Sequence, residues 1–139
     1  MKRIEELRVL SSDHHRGLVL AKKAHQAADS GLSAEAAWAD LEAAFNAELE
    51  PHFQVEEQTL IEPLRALGED TLVAQLEREH AQLRGCFSPE QPRGFDELKH
   101  FGELLKAHIR FEERELFEVV QARFSPEQLQ LVADASAVG

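Results

Sequence analysis

Apolar side chains recur along this chain at steps of three and four residues, and no stretch alternates with period two for long enough to form a strand. The first run reads Ile4, Leu7, Leu10, His14, Leu18, Ala21, His25 and Ala28, one face of an amphipathic helix. Asp29-Ser30-Gly31 breaks it: Gly31 suits a helix C-terminus, and Ser33 suits the N-cap of the next helix. The second face runs through Ala37, Leu41, Phe45, Glu48, His52, Glu56 and Leu60 towards a stop at Leu67-Gly68, interrupted by Pro51 and Pro63. Pro51 lacks an N–H and clashes with the carbonyl four residues back, which predicts a kink just before His52. The third face reads Leu72, Leu76, His80, Leu83 and Phe87, followed by Ser88-Pro89 and the loop Gln91-Pro92-Arg93-Gly94. The fourth reads Leu98, Phe101, Leu105, His108, Glu112, Leu116 and Val119. Ser125-Pro126-Glu127-Gln128 combines an N-cap serine, a proline at the first helical position and a capping-box glutamine, and predicts a short C-terminal helix. Four long helices with short connections predict an all-α fold over residues 1–139: one domain, an up-down antiparallel four-helix bundle with a short C-terminal helix.

Charge narrows the partners. The 139 residues include 26 Asp and Glu against 15 Lys and Arg, a net charge of −11 with the histidines neutral. Such a chain repels nucleic-acid backbones and anionic membranes, so neither is an expected partner. Cys86 is the only cysteine, which excludes an internal disulfide and a Cys-based zinc site. There is no tyrosine, which excludes chemistry through a tyrosyl radical or a phenolic acid. Met1-Lys2-Arg3-Ile4-Glu5-Glu6 turns acidic at once, and apolar stretches such as Leu18-Val19-Leu20-Ala21 are far short of a membrane span. The expected location is cytoplasmic.

The candidate chemistry lies in the seven histidines. Each of the four faces carries a histidine where Leu or Ile would pack. A lone buried imidazole is ordinarily a hydrogen-bonded core residue; four of them, one per helix, point to a ligand set. The second and fourth helices repeat a longer pattern, His52-Phe53-Gln54-Val55-Glu56-Glu57 and His108-Ile109-Arg110-Phe111-Glu112-Glu113. Four residues turn a helix by about 400° and advance it about 6 Å, so His and Glu share a face one turn apart. One helix can thus offer a nitrogen and a carboxylate to the same metal cluster. The first and third helices each add a histidine behind an acid, Asp13-His14 and Glu79-His80, making a tandem of two halves. Imidazole and carboxylate without thiolate suit Fe, Mn, Zn or Co.

The remaining candidates rank lower. His15 sits about 100° around the helix from His14 and is the alternative ligand there. His25 shares the His14 face three turns away and is read as a capping or surface residue, and His100 as lying near the bundle end. Glu48 is read as an exposed or ion-paired acid, with a part in metal access as the alternative. Glu57 and Glu113 are read as flanking acids in surface pairs, Cys86 as core, and Trp38 and the phenylalanines as packing and the apolar wall of the site. No phosphate-binding glycine loop and no nucleophile motif is present.

The paired His-x-x-x-Glu-Glu motifs resemble the hemerythrin-like family of HHE cation-binding domains, over roughly Leu7 to Leu116. The resemblance implies a non-heme di-iron centre inside a four-helix bundle, two iron ions joined by two carboxylates and an oxo or hydroxo bridge. Carried over by position, His14, His52, His80 and His108 are the terminal ligands and Glu56 and Glu112 the bridges. The family's oxygen carriers have a second third-helix histidine where this chain has Leu76, and an aspartate where it has Glu112. Ferritin-like di-iron enzymes use Glu-x-x-His, the reverse order at shorter spacing, and fit less well. The implied function is to bind or react with O2 or peroxide; an iron-, oxygen- or redox-sensing or iron-buffering module without turnover is the alternative. Whether the protein is an enzyme stays open at this point.

Overall fold

Helices account for every regular element among the described residues of the structure, a computed structural model that describes residues 3–138. Met1, Lys2 and Gly139 lie outside the described residues. The helices are α1 (Arg8–His25), α2 (Ala34–Ala44), α3 (Glu50–Thr59), α4 (Ile61–Ala66), α5 (Asp70–Gly85), α6 (Phe95–Phe111), α7 (Phe117–Arg123) and α8 (Pro126–Val138). A π-helical turn, Phe45–Leu49, joins α2 to α3, and a second, Glu112–Leu116, joins α6 to α7. The stop and start signals behave as their chemistry dictates. Gly31 and Gly68 adopt φ of +85° and +80°, a region that disfavours side chains with a Cβ. Ser33 Oγ accepts the Ala36 N–H at 3.1 Å. Ser125 and Gln128 exchange the two bonds of a capping box at 2.9 and 3.1 Å.

Three expectations are corrected. On α1 the buried face beyond His14 runs through Gly17, Leu20, Ala21 and Ala24, whereas Leu18, His25 and Ala28 are exposed. The reason is the closeness of α6: a Cβ at Gly17 would sit 2.8 Å from Ile109 Cδ1, and one at Gly102 would sit 2.5 Å from the Ala21 carbonyl oxygen. Before Pro51, the chain takes the π-helical turn Phe45–Leu49. The wider turn advances the buried face by one residue, so Leu49 is buried and Glu48 is exposed. The C-terminal helix is not short: its 13 residues bring Leu129, Val132 and Ala135 against Leu7, Leu10 and Leu60. Pro63 has no N–H for the Thr59 carbonyl, and the helix is accordingly broken at Leu60 and restarts at Ile61.

The apolar interior forms two clusters. One gathers Leu7, Leu10, Leu60, Leu64, Leu76, Phe117 and Val132; the other gathers Trp38, Phe45, Phe53, Leu83, Phe101 and Leu105. Each ligand-candidate histidine sits where its helix passes from one cluster to the other: His14 between Leu10 and Leu20, His52 between Leu49 and Val55, His80 between Leu76 and Leu83, His108 between Leu105 and Phe111. A layer of polar groups is thereby sandwiched between hydrocarbon. Among the described residues, no helix is long and apolar enough to cross a membrane.

The contact between α1 and α6 yields a test. Gly102→Ala places its methyl against backbone, which cannot rotate away, and should cost about 1–3 kcal/mol in chemical denaturation. Gly85→Ala, with nothing within 4 Å of the added Cβ, is the control and should cost nothing. Equal effects from the two would disprove the close approach.

Candidate metal centre

His14, His52, Glu56, His80, His108 and Glu112 are all buried, none more than 5% exposed. They form two groups that share both carboxylates: His14, His52, Glu56 and Glu112, and Glu56, His80, His108 and Glu112. Within each group the potential ligand atoms lie within 4.8 Å of one another. Each carboxylate divides its oxygens between the groups. Glu112 Oε1 lies 2.6 Å from His14 Nε2 and 3.4 Å from His52 Nε2, while its Oε2 lies 3.0 Å from His108 Nε2. Glu56 Oε2 lies 3.1 Å from His52 Nε2, and its Oε1 lies 3.1 Å from His80 Nε2. The (i, i+4) spacing on α3, and from α6 into the following π turn, sets this arrangement by bringing each Glu beneath its own His.

The outer nitrogens are held just as specifically. His14 Nδ1 meets Glu113 at 2.6 Å, His52 Nδ1 meets Asp13 at 3.1 Å, His80 Nδ1 meets Glu57 at 2.7 Å and His108 Nδ1 meets Glu79 at 2.7 Å. An ionised carboxylate can only accept, so each Nδ1–H donates and each Nε2 faces the centre. The pattern is cyclic: α1 supplies the acid for the histidine of α3, α3 for α5, α5 for α6, and the turn after α6 for α1. Aromatic rings back two of the imidazoles. Phe53 stacks on His80 with centroids 4.0 Å apart, and Phe117 on His14 at 5.3 Å. Arg84 and Arg3 cover the outer faces of those rings at 5.5 and 5.9 Å.

The donor set fits a metal. Among the described residues, three buried side-chain atoms find no hydrogen-bond partner, and all three are here: Glu56 Oε2, His108 Nε2 and Glu112 Oε2. Each has a neighbour near 3 Å, but the pairs are not aligned as hydrogen bonds. Lone pairs that converge without sharing a proton are what a cation requires. Without a metal, protons compensate the charge. Burial opposes a charged ring at each histidine, yet the carboxylates outweigh it, lifting His80 to about 9 through Glu112 and Glu56 and His108 to about 10 chiefly through Glu112. His14 and His52 are raised too. Burial pushes the Glu112 carboxyl up, but His108, His14 and His52 hold it well below the usual range.

Glu57 and Glu113, read from the sequence as surface acids, do pair with Arg84 and Arg3, but their other role is to bond His80 and His14. Asp13 and Glu79 were visible only as neighbours of histidines, and each serves the histidine of a different helix. The signal was present in the doubled Glu of both motifs and in the acid before His14 and His80; its meaning depends on how neighbouring helices pack. His15 and His100 are exposed, and His25 lies at the surface 3.8 Å from Glu103. Trp38 belongs to the same apolar cluster as Phe53, where it packs on Phe87 and donates to the Gly94 carbonyl at 3.0 Å. Cys86 is half-buried, and burial pushes its thiol up.

A helical fold around two buried His/Glu groups makes a helical protein that could hold metal cations. Comparison with protein families makes the class specific: residues 5–120 match the hemerythrin HHE cation binding domain, and the chain belongs to that family. No curated protein and no solved structure matches it. The family binds metal cations, and the two buried His/Glu groups fit such a site.

The protonated centre has a stability signature. A histidine whose folded pKa is raised stabilises the fold fully below its unfolded value, 6.5, and loses that contribution as pH rises through the folded value, about 9 for His80 and about 10 for His108. Chelator-treated protein should therefore melt progressively lower between pH 6.5 and 10. Metal takes the place of the protons, so loaded protein should show a much flatter profile over that range. A chelated protein that gains stability over this interval would contradict the assignment.

Proposed function

We propose that this chain is a non-heme di-iron protein: an up-down four-helix bundle in which His14, His52, His80 and His108 are terminal ligands, Glu56 and Glu112 bridge two irons, and O2 or peroxide is the reacting small molecule. The observation that carries the reading is the division of each buried carboxylate between two pairs of histidines. A single ion needs no such split; two ions side by side do. Imidazole and carboxylate donors without thiolate suit Fe, Mn, Zn or Co, and the resemblance to the hemerythrin-like family is what selects iron among them.

Bound there, an iron pair supplies electrons and coordination positions for O2 or peroxide. The protein's part is to orient and to exclude. The outer acids fix every Nε2 towards the centre, and Phe53 and Phe117 keep water from the faces of His80 and His14. One turn before His80 lies Leu76, fully buried. It offers no nitrogen, so either side would give a metal only two imidazoles and one oxygen of each shared carboxylate, a donor set that would leave room for an outside ligand and suits reaction better than protected carriage.

Anaerobic loading should give two irons per chain, and His52→Ala combined with His108→Ala should abolish both. His14→Ala should lose metal, whereas His15→Ala should not. Mixed with O2 in a stopped-flow instrument, the reduced protein should oxidise rapidly and irreversibly. Uptake of O2 that vacuum reverses hours later would overturn the reactive reading, and loading of at most one ion would overturn the di-iron reading. Leu76→His should slow the oxidation if the missing donor is its cause.

A further inference from the structure

The two halves of the centre are related by an approximate repeat, and the outer acids show where it breaks. Glu57 and Glu113 are equivalent: each follows a bridging glutamate, bonds a histidine of another helix, and pairs with an arginine, Arg84 at 2.7 Å and Arg3 at 3.3 Å. Asp13 and Glu79 are the other equivalent pair, each preceding a histidine and bonding one on another helix. They are equally buried, with 17% and 18% of the side chain exposed, but their surroundings differ. Asp13 meets the Arg16 guanidinium at 2.6 Å. Glu79 meets a neutral amide, that of Gln75 at 2.9 Å, and among the described residues it has no cation besides His108.

The difference extends to the whole half. Around His14 and His52, the carboxylates of Asp13, Glu113 and Glu118 face two guanidiniums, Arg16 and Arg3. Around His80 and His108, those of Glu57 and Glu50 face one, Arg84, and that of Glu79 meets the Gln75 amide instead. A carboxylate that accepts an Nδ1–H makes the imidazole a stronger donor through Nε2. A guanidinium on that carboxylate draws the charge away and weakens the effect.

We propose that the two metal positions are unequal, that the His80/His108 position fills first, and that Glu79 is the positioning residue responsible. Glu79 acts through His108, which it bonds at 2.7 Å, and is not among the groups that could hold an ion. The inference rests on the reading of the six buried residues as the ligands of two ions.

Anaerobic titration of the metal-free protein with Co(II), followed by visible absorption and by competition with a chelator, reads both binding steps. Two resolved steps are expected, with the absorption of the first lost in His108→Ala and kept in His14→Ala. Glu79→Gln keeps an acceptor for the Nδ1–H and removes only the charge, so it should weaken the first step by roughly 10- to 100-fold and spare the second. Asp13→Asn should weaken the second step. Gln75→Lys, one turn before Glu79, supplies the missing cation and should weaken the first step in the same direction but by less. Fewer than two Co(II) per chain would overturn the reading of the centre itself. Two Co(II) bound with equal constants, or a first step indifferent to both Glu79→Gln and Gln75→Lys, would leave that reading standing and overturn the present inference.

Discussion

Two carboxylates and four imidazoles held out of water are the constraint on which the rest of the structure depends. Burying one unpaired charge in hydrocarbon costs far more than a domain's whole stability margin, so such groups persist only with compensating partners. Here the compensation has two layers. Inside, histidine rings surround Glu56 and Glu112; outside, Asp13, Glu57, Glu79 and Glu113 hold the opposite edge of each ring. Protons balance the inner layer in the metal-free protein, and cations can replace them.

This polar layer also governs how the helices meet. Because every outer acid comes from a different helix than the histidine it bonds, the four contacts form a closed circuit around the bundle. No one helix can rotate without breaking two of them. The apolar clusters on either side supply the bulk of the burial, while the circuit selects one rotation for each helix. The glycines at 17 and 102 serve the same end, allowing α1 and α6 to approach until His14 reaches Glu112 and Glu113. The π turns at Phe45–Leu49 and Glu112–Leu116 reset the buried face next to His52 and beyond Glu112, as such turns often do at functional sites.

The centre's chemistry follows from its position in this circuit. With each Nδ1 committed to an acid, the ring orientation is fixed with Nε2 turned to the centre, which lowers the reorganisation needed for cation binding. The arginines then tune the outer acids unevenly. Asp13, Glu57 and Glu113 each meet a guanidinium, whereas Glu79 meets the Gln75 amide.

The sequence by itself determined the helical class, the helix starts at Ser33 and Ser125, and the six inward residues, because helical periodicity is local: residues four apart share a face in any helix. The HHE family, too, was legible in the doubled His-x-x-x-Glu-Glu motif. Tertiary structure alone decided the rest. The face of α1 beyond His14 depends on how near α6 comes, so the stripe through Leu18 gave way to one through Gly17. The π turn before Pro51 displaced Glu48 from the face that a regular helix would have given it. Most of all, the roles of Asp13, Glu57, Glu79 and Glu113 are invisible in one helix, since each acid acts on a histidine from 23 to 99 residues away. Periodicity says which side of a helix a residue occupies; only the packing of one helix against the next says what it meets there.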